Sequence, residues 1–454
     1  MPKKKTALTI EERLQQALVP AEEQPYEVPE NWVWVRLGEV NKYVSKSVNP
    51  ISEPDKIFEL YSVPSMADDY PEIIAGSDIG SSKQSVCKED VLLCKINPRI
   101  NRVWKVSQFT DNELIASSEW IIIRNNHINA NYLMYGFQSK YFREFMLSNV
   151  SGVGGSLMRA QPKYVQTYPI PLPPLSEQQR IVESIEELFA KLDEAKERLQ
   201  EVADSFAVRK AAILHNAFTG ELTKQWRREN GVSDESWEEK KLGEVGFWLG
   251  GGTPSTSREE YWENGNILWI TSKDMKSAVI EDTLMKVNEI GVKNSSANYI
   301  EKPALLVVMR SGILRRTFPV AMVKKPFTVN QDLKAIIPDK DDLEFLYWML
   351  LSNEQRILDT CMKNGTTVES INSNALKDLT FKCPTLPEQH EIVRLIDDLL
   401  ARERSAQQAA EQALASIDLM KKSILARAFR GELGTNKASE ASALELLKQV
   451  LAEN

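Results

Sequence analysis

The residues of this chain that could bind a metal ion or act as nucleophiles are few and scattered. They are four cysteines and three histidines, namely Cys87, Cys94, Cys361, Cys383, His127, His215 and His390. No cysteines form a C-x-x-C pair and the histidines lie far apart, whereas a zinc site needs clustered Cys or His ligands. We therefore expect no metal centre, and we expect packed or surface thiols in a reducing, cytoplasmic compartment.

Nucleotide and acyl-transfer chemistry also lack their usual motifs. The glycine-rich segment GGGTPSTS at 250–257 has no lysine of the kind that a G-x-x-x-x-G-K-[ST] loop places on phosphates, and SGVGGS at 151–156 does not open a helix. No G-x-S-x-G, H-E-x-x-H or N/D-P-P-Y/F tetrapeptide occurs. Together these absences favour a chain that carries out no catalysis by itself.

A long internal repeat organises the sequence. LSEQQRIVESIEEL at 175–188 aligns without gaps with LPEQHEIVRLIDDL at 386–399, and HNAFTGEL at 215–222 aligns with ARAFRGEL at 426–433. Two matches in one register indicate a single duplicated unit, and the period is too long for a solenoid.

Each copy of the repeat contains a helix with heptad spacing. In residues 178–217 the apolar positions alternate in steps of four and three, which is typical of a coiled-coil seam. The predicted seam of the first copy is Ile181, Ile185, Leu188, Leu192, Ala195, Leu199, Val202 and Phe206, and that of the second is Ile392, Ile396, Leu399, Ala406, Ala410, Ala413, Ile417, Met420 and Ile424. Glu403 interrupts the second line. We expect the two helices to pair, and the alternative is that each packs on its own domain.

A larger mixed segment precedes each helix. Both open alike, with NWVWVRLGEV at 31–40 and SWEEKKLGEV at 236–245, and both contain short β-branched runs bounded by turn residues. DVLLCKI at 90–96, WIIIR at 120–124, NILWIT at 266–271, ALLVVMR at 304–310 and LKAIIP at 333–338 are predicted strands. Late helical stretches, at 131–147 and 343–361, complete two mixed α/β domains.

The predicted fold class is α+β, with two mixed α/β domains alternating with two long helices that pair as an antiparallel coiled coil in a pseudo-two-fold repeat. The predicted bounds are an N-terminal helical segment at 1–30, the first domain at 31–170, the central spacer helix at 171–235, the second domain at 236–382, the distal spacer helix at 383–434 and a C-terminal helical tail at 435–454. TIEERLQQALVP at 9–20 is a predicted helix with a Thr9/Glu12 capping box.

Charge and hydropathy leave the choice of partner open. The net charge of the 454 residues is −8, but residues 31–170 and 240–382 each sum to +1, whereas residues 171–239 sum to −6. The acidity is concentrated on the first spacer helix, so two near-neutral domains can still carry local basic patches. No run of about 18 apolar residues occurs, so no membrane partner is expected.

Several segments carry a resemblance to one known family. They are PENWVWVRLGEV at 29–40, INPRINRVWKV at 96–106, IASSEWIIIR at 115–124, PLPPLSEQQRIV at 171–182, AFTGELTKQWR at 217–227, GGTPS at 251–255, YWENGNILWITSKDM at 261–275, RSGILRRTFPVAM at 310–322 and TVNQDLKAIIP at 328–338. Over nearly its whole length the chain resembles the specificity (S) subunit of type I DNA restriction–modification systems. It departs at Glu403 and after Gly431-Glu432-Leu433, where no T-K-Q-W-R equivalent follows.

The resemblance implies a recognition subunit without catalytic activity. Each target-recognition domain would read one half of a split sequence in double-stranded DNA, and the helices would fix the unread spacer between the halves. Two modification (M) subunits would dock on this chain and methylate adenine with S-adenosylmethionine. Restriction (R) subunits would add ATP-driven translocation and cleavage. The resemblance thus assigns S-adenosylmethionine, ATP and Mg to the partner subunits and no cofactor to this chain.

Within that interpretation, the candidate DNA-binding side chains are those that suit base edges and phosphates. In the first domain they are Asn97, Arg99, Asn101, Arg102 and Lys105. In the second they are Lys273, Arg310, Ser311, Arg315, Arg316, Asn330 and Gln331. The alternative is that these are solvated polar loops.

Two other functions remain open from the sequence. A coiled-coil scaffold whose globular ends bind proteins would explain the repeat and the acidity equally well, but it would not explain two diverged domains with Arg/Asn clusters. An enzyme with an unrecognised active site is opposed by the missing histidine clusters and nucleotide loops.

Overall fold

The computed structural model of the chain describes residues 8–151, 158–363 and 367–452, and it divides into two compact units. Unit 1 contains residues 1–199 and 412–454, and unit 2 contains residues 200–411. The segment SGVGGS falls, except for Ser151, outside the described residues. Each unit therefore contains one mixed domain together with parts of both spacer helices.

The strands are numbered along the chain. Those of unit 1 are β1 (Val33–Arg36), β2 (Ser47–Val48), β3 (Ile57–Tyr61), β4 (Glu72–Ala75), β5 (Lys83–Ser85), β6 (Val91–Cys94), β7 (Val103–Lys105), β8 (Glu113–Ala116), β9 (Trp120–Ile123), β10 (Val150–Ser151), β11 (Arg159–Ala160) and β12 (Pro169–Leu172). Those of unit 2 are β13 (Glu238–Lys241), β14 (Gly246–Gly250), β15 (Ile267–Ile270), β16 (Met285–Val287), β17 (Ala304–Val308), β18 (Val320–Val323), β19 (Phe327–Val329), β20 (Leu333–Pro338) and β21 (Thr380–Cys383).

The α-helices are numbered in the same way. They are α1 (Ile10–Ala17), α2 (Leu37–Val40), α3 (Ala130–Gln138), α4 (Lys140–Ser148), α5 (Pro162–Val165), α6 (Leu175–Asp204), α7 (Phe206–Phe218), α8 (Lys224–Asn230), α9 (Glu289–Lys293), α10 (Leu343–Ser352), α11 (Glu354–Cys361), α12 (Ser373–Lys377), α13 (Leu386–Ala428) and α14 (Ala443–Ala452). The predicted helix at the N-terminus is confirmed as α1, including the reciprocal Thr9/Glu12 capping box.

The sheets of the two units correspond. In unit 1 the strands β7-β6-β9 form an antiparallel sheet, and β3 pairs in parallel with β8 inside the five-stranded sheet β2-β5-β8-β3-β4. In unit 2 the order β18-β17-β20 recurs within β14-β20-β17-β18, and β15 pairs in parallel with β19. An antiparallel pair made of the first and last strands closes each domain, β1 with β12 and β13 with β21. The mixed α/β prediction is confirmed for both domains.

The predicted strands form because their apolar runs are largely buried, completely so in β6, β15 and β17. The residues of β6 and β17 are all buried, and the predicted runs at 120–124, 266–271 and 333–338 correspond to β9, β15 and β20. Strands buried on both faces read as continuous rather than alternating apolar runs, which explains why these were visible in the sequence.

The two late helical stretches each divide into two helices. Ser139 ends α3 with extended backbone angles, and its hydroxyl accepts a hydrogen bond from the Phe142 N–H to begin α4. Asn353 separates α10 from α11 in the same place of the second domain. Phe142 and Phe345 are buried in these helices, so the aromatic residues form core rather than stacking platforms.

The spacer helix of the first copy is interrupted, where the sequence predicted one continuous helix. Ser205 separates α6 from α7, although the i→i−4 backbone hydrogen bonds continue on both sides of it. The Ser205 hydroxyl and Arg209 Nη2 both donate to the Val202 carbonyl, each over 3.1 Å. Such side-chain competition for a helical carbonyl bends a helix locally.

The predicted seam of the first copy is correct at its start and wrong at two positions. Ile181 and Ile185 are fully buried, but Leu188 and Val202 are exposed. Their neighbours Phe189 and Ala203 are partly buried instead. The buried stripe therefore runs through Phe189 and Ala203, and its steps next to these two residues no longer alternate between four and three.

The second seam is shifted in the same way. Ile396, Ala410 and Ile417 are buried as predicted, whereas Ala406 and Met420 are exposed. The buried line also passes through Leu400, Gln407, Leu414 and Lys421, while the predicted Leu399 and Ala413 are partly buried beside it. Glu403 belongs to this stripe, where the prediction had it as an interruption, because its carboxylate forms an ion pair with Arg209 of α7.

Within each unit the paired helical segments run antiparallel. In unit 1, Asp193 in the middle of α6 pairs with Lys421 of α13. Nearer the start of α6, Arg180 pairs with Glu440, which lies beyond the end of α13. In unit 2 the Arg209–Glu403 pair is followed along the chain by contacts of residues 223–227 with the start of α13.

The repeated E-Q motif joins each spacer helix to its domain. Gln178 accepts a hydrogen bond from the Asn129 N–H over 2.9 Å and donates to the Pro173 carbonyl. Gln389 likewise accepts from the Asp342 N–H over 2.8 Å and donates to a proline carbonyl. Asn129 and Asp342 are the N-caps of α3 and α10, so each glutamine fixes the first turn of a domain helix to the start of a spacer helix.

The repeated A-F-x-G-E-L motif lies at the end of each spacer helix. It packs on α3 in one unit and on α10 in the other, the two domain helices that the glutamines also contact. Phe429 packs on Tyr132 of α3 at 5.0 Å between ring centroids, and Phe218 packs on Phe345 of α10 at 5.5 Å. Gly220 and Gly431 follow with φ of +84° and +74°, the left-handed conformation in which glycine ends helices without strain.

None of the helices in the described part of the chain combines the length and the apolar character that a membrane span requires.

Candidate nucleic-acid interface

One edge of the second domain collects the ends of four strands. The parallel strands β15 and β19 both end there, with Ile270 beside Val329. Strand β17 ends at the same edge because its Val308 lies opposite Leu333, the first residue of the antiparallel β20. Strand β14 also ends there, at Gly250 opposite Lys334.

The predicted DNA-binding residues of the second domain follow these strand ends. Lys273 comes after β15 and is exposed, and Asn330 and Gln331 come directly after β19. Arg310 and Ser311 follow β17. Side chains that are distant in the sequence are therefore brought together because parallel strands place their carboxyl ends at one edge.

Hydrogen bonds organise this edge. The Met309 N–H donates to the Asp332 carbonyl over 2.7 Å, and Arg310 Nε lies 3.8 Å from the Asp332 carboxylate. Gln331 is exposed and accepts from the Thr253 hydroxyl over 2.8 Å, which brings the glycine-rich loop at 250–253 to the same place. Asn330 is buried, and its side chain accepts from the Asp332 N–H.

The connection from β17 to β18 carries the two remaining arginines among the predicted DNA-binding residues of this domain. Residues Gly312–Arg315 form a 3-10 turn whose N-cap is Ser311. Arg315 is 69% exposed and pairs with Glu369 over 2.8 Å. Arg316 is exposed, and no ion pair to it is present in the described part of the chain. This loop therefore presents two guanidinium groups to solvent beside the strand ends.

In the first domain the equivalent loop joins β6 to β7 and contains Asn97, Arg99, Asn101 and Arg102. Asn97 has a positive φ of 47°, and its N–H donates to the Met158 carbonyl over 2.7 Å. Asn101 Nδ2 donates to the Gln138 carbonyl over 3.0 Å, so this side chain holds the loop against α3. Arg99 is exposed at the tip, and its carbonyl accepts from Arg143 of α4.

Two of the first-domain candidates stand apart from the loop tip. Arg102 is partly buried, and its carbonyl accepts from the Cys94 N–H as the hairpin begins to pair. Lys105 lies at the opposite end of the hairpin, across from Val91, and its Nζ is 3.5 Å from Glu89. The structure therefore separates Lys105 from the other first-domain candidates.

The first domain has a corresponding edge beside the loop that joins β6 to β7. It contains further polar residues that the sequence did not indicate, namely residues 117–119, Lys95 and Arg159. Glu119 accepts two hydrogen bonds from Arg159, each 3.3 Å, and its carbonyl accepts from the Lys95 N–H. Lys95 Nζ donates to the Ser118 carbonyl over 2.6 Å. The duplication could have indicated residues 117–119, because they directly precede β9 just as residues 330–332 directly precede β20.

The edges suit binding better than catalysis. Exposed guanidinium, ammonium and amide groups donate hydrogen bonds to phosphates and base edges. Cys94 at the end of β6 is a packed thiol, since burial raises its pKa above the ordinary value. Within the residues that the structure describes, no group of three or more His, Cys, Asp or Glu side chains could hold a metal ion.

Comparisons with known proteins agree on one family. The family model described as "Type I restriction modification DNA specificity domain" matches the chain twice, at residues 29–204 and 234–413. The EcoR124I/EcoR124II specificity subunit of Escherichia coli is 37% identical over 196 residues, which is 41% of this chain and 48%, or about half, of that relative. The MjaVIII specificity subunit of Methanocaldococcus jannaschii is 25% identical over 415 residues, covering 85% of this chain and 91% of the relative.

Solved structures show the same fold. The HsdS subunit from Thermoanaerobacter tengcongensis matches with a TM-score of 0.69 at 21% identity, over 90% of this chain and 100% of that one. A chain from a structural study of the assembly and conformational transition of the type I R-M system matches with a TM-score of 0.64 at 22% identity, with the same coverage.

Proposed function

The chain belongs to the type I restriction–modification DNA specificity family, and from this premise we propose that it recognises a bipartite sequence in double-stranded DNA. Each globular domain reads one half-site. The observation that carries this proposal is the equivalence of the two edges, in which the β6–β7 and β17–β18 loops present arginines beside the residues that precede β9 and β20.

The edge residues divide between base reading and phosphate contact. Arginine suits guanine and asparagine or glutamine suits adenine in the major groove, whereas lysine and exposed arginine also neutralise phosphates. In the second domain we assign base reading to Arg310 and Gln331, because both follow paired strands and are exposed, whereas the buried Asn330 shapes the turn by accepting from the Asp332 N–H. Lys273, Ser311, Arg315 and Arg316 are then phosphate contacts.

In the first domain Asn97, Arg99, Asn101 and Arg102 form the corresponding loop. Arg99 at the exposed tip is the phosphate or guanine contact, and Asn97 and Asn101 shape the loop through their bonds to Met158 and Gln138. Lys105 lies outside this edge and is a contact only if the DNA also passes the far end of the hairpin.

The spacer helices set the distance between the half-sites. We propose that α6, α7 and α13 form one antiparallel coiled coil, which is supported by the Asp193–Lys421 pair in unit 1 and the Arg209–Glu403 pair in unit 2. The bases between the half-sites then lie beyond the reach of either domain and go unread.

Catalysis in this proposal belongs to other subunits. Two modification subunits dock on the spacer and domains and methylate adenine with S-adenosylmethionine, and restriction subunits cut with ATP and Mg. This chain holds no cofactor and acts in the cytoplasm. The alternative of a protein-binding scaffold has no support from the equivalent basic edges.

Selection of bound DNA from a random duplex pool tests this function. The chain is purified together with its modification subunit, and bound duplexes are sequenced at two salt concentrations. A split motif with a gap of constant length, and affinity that falls steeply with salt, are expected. Binding without any enriched sequence would contradict the proposal and favour the scaffold.

A further inference from the structure

Two tripeptides occupy the same position in the two domains. Residues 117–119 (Ser-Ser-Glu) connect β8 to β9, and residues 330–332 (Asn-Gln-Asp) connect β19 to β20. In each, the first side chain accepts a hydrogen bond from the N–H of the third residue, over 3.3 Å from Glu119 to the Ser117 hydroxyl and over 3.1 Å from Asp332 to Asn330 Oδ1. The middle residue is exposed in both.

The third residue of each tripeptide is acidic and faces an arginine. Arg159 donates to Glu119 through both Nε and Nη2, and Arg310 Nε lies 3.8 Å from Asp332. The carboxylates are 28% and 26% exposed and the arginines 44% and 62% exposed, so both pairs are open to a ligand. The carbonyl of each acidic residue also accepts a backbone N–H from the end of the neighbouring strand, which fixes the turn.

A carboxylate at this position opposes binding to a phosphate backbone, because like charges repel. Its presence in both copies of a DNA-binding edge therefore points to a different role. A guanidinium held in one orientation by a carboxylate can donate to the O6 and N7 acceptors of guanine, and a carboxylate can accept from the N4 amino group of cytosine. An acid–arginine pair thus matches the two partners of one G·C base pair.

We propose that Glu119 with Arg159, and Asp332 with Arg310, are specificity-determining pairs, each reading a G·C base pair in one half-site. The two acids stand at equivalent positions, whereas the arginines reach them from different places, since Arg159 pairs with Ile96 and Arg310 pairs with Ser370. This inference rests on the proposed function. Glu119 orients Arg159 through two hydrogen bonds, Asp332 attracts Arg310 from 3.8 Å, and the exposed middle residues, Ser118 and Gln331, contact the neighbouring base. The chemical difference between the two tripeptides then contributes to the difference between the half-sites.

The test applies the random-duplex selection to the full complex containing E119Q or D332N. Glutamine and asparagine keep the shape of the side chain but remove the charge that holds the guanidinium. The controls are E53Q and D378N, which neutralise exposed ion pairs with Lys56 and Lys241 away from these edges. Thermal unfolding of each variant shows whether its fold is retained.

The expected result is a loss of discrimination of about tenfold or more at one G·C position. E119Q should affect one half-site and D332N the other, while the controls keep the wild-type motif. An unchanged motif in both variants, or equal weakening for every sequence, would overturn the inference. A wild-type complex that selects no split motif would instead overturn the proposed function.

Discussion

Arg227 donates through Nη1 to Glu388 over 2.8 Å, and the two side chains are 7% and 0% exposed. Burial alone would lower the pKa of Arg227, but hydrogen bonds to Glu388 and Asp234 raise it above the ordinary value. The equivalent carboxylate of the first copy, Glu177, is also fully buried but accepts from the neutral donors of Trp32 and Asn436, each over 2.8 Å. The two buried carboxylates occupy equivalent positions in the repeat, but Glu388 accepts from a guanidinium whereas the donors to Glu177 are neutral.

Removing the Arg227 guanidinium, the cationic partner of Glu388, should destabilise unit 2. R227M leaves Glu388 as a buried charge that retains the Thr223 hydroxyl, and the expected loss is about 3–5 kcal/mol in the free energy of unfolding. The measurement is a urea titration, with R228M at the exposed neighbouring position as the control. A loss no larger than that of R228M would show that the pair contributes nothing.

The Arg209–Glu403 pair should behave as a contact between helices. R209E and E403R should each destabilise the protein because each places like charges together, and the double variant should recover stability. For side chains that are 33% and 25% exposed, the expected coupling is about 0.5–1 kcal/mol. A double-mutant cycle from denaturant unfolding measures it, and strictly additive effects would argue against pairing at this point. The pair Glu194 and Arg198, within α6, provides the control cycle.

Exposed arginines of the second-domain edge should contribute to DNA affinity without sequence preference. R315A and R316A should each weaken binding to all duplexes alike and reduce the slope of log K against log salt by about 1. Fluorescence anisotropy of the full complex at several salt concentrations measures this slope. R228A, outside the edge, should leave the slope unchanged. A specificity change at one base would reassign that arginine to base reading.

Asp341 should make stability depend on pH in the acid range. Burial would raise its pKa, but hydrogen bonds from Lys240, Gln389 and Cys383 outweigh burial and lower the pKa below the ordinary 3.8. The folded state therefore gains stability from the ionised carboxylate above pH 3.8, and this gain is lost as the pH falls through the lowered value. D341N should be less stable than the native chain near pH 7, and the difference should shrink below pH 3.8. If the free energies of unfolding of D341N and of the native chain differ by the same amount across that pH range, Asp341 does not have the lowered pKa described here.

The sequence was sufficient for the architecture because duplication and buried strands leave direct signals. The motif repeat located both spacer arms, and the fully apolar runs located β6 and β17. The helical register was harder, since positions such as Ala406 and Gln407 differ by one residue and only packing decides which is buried. Glu403 resembles an interruption of the seam in the sequence because its ion-pair partner, Arg209, lies in the other copy of the repeat.

The candidate edge was predictable only in part. Residues chosen for their chemistry in the second domain converge because parallel strands end together, a relationship that sequence order does not reveal. Lys105 lies close to Arg102 in the sequence, but the pairing of the hairpin strands places Lys105 at the far end of the hairpin. Glu119 was overlooked because an acidic residue does not suggest DNA binding until its arginine partner, far along the chain, is known.

Sequence recognition by this chain can be measured by mapping N6-methyladenine in genomic DNA from cells that carry this gene with its modification partner and from cells that lack only this gene. We expect a split motif, with two half-sites and a fixed gap, that is methylated only when the chain is present. Identical methylation in both strains, with the complex shown to assemble by co-purification, would contradict a role in sequence recognition.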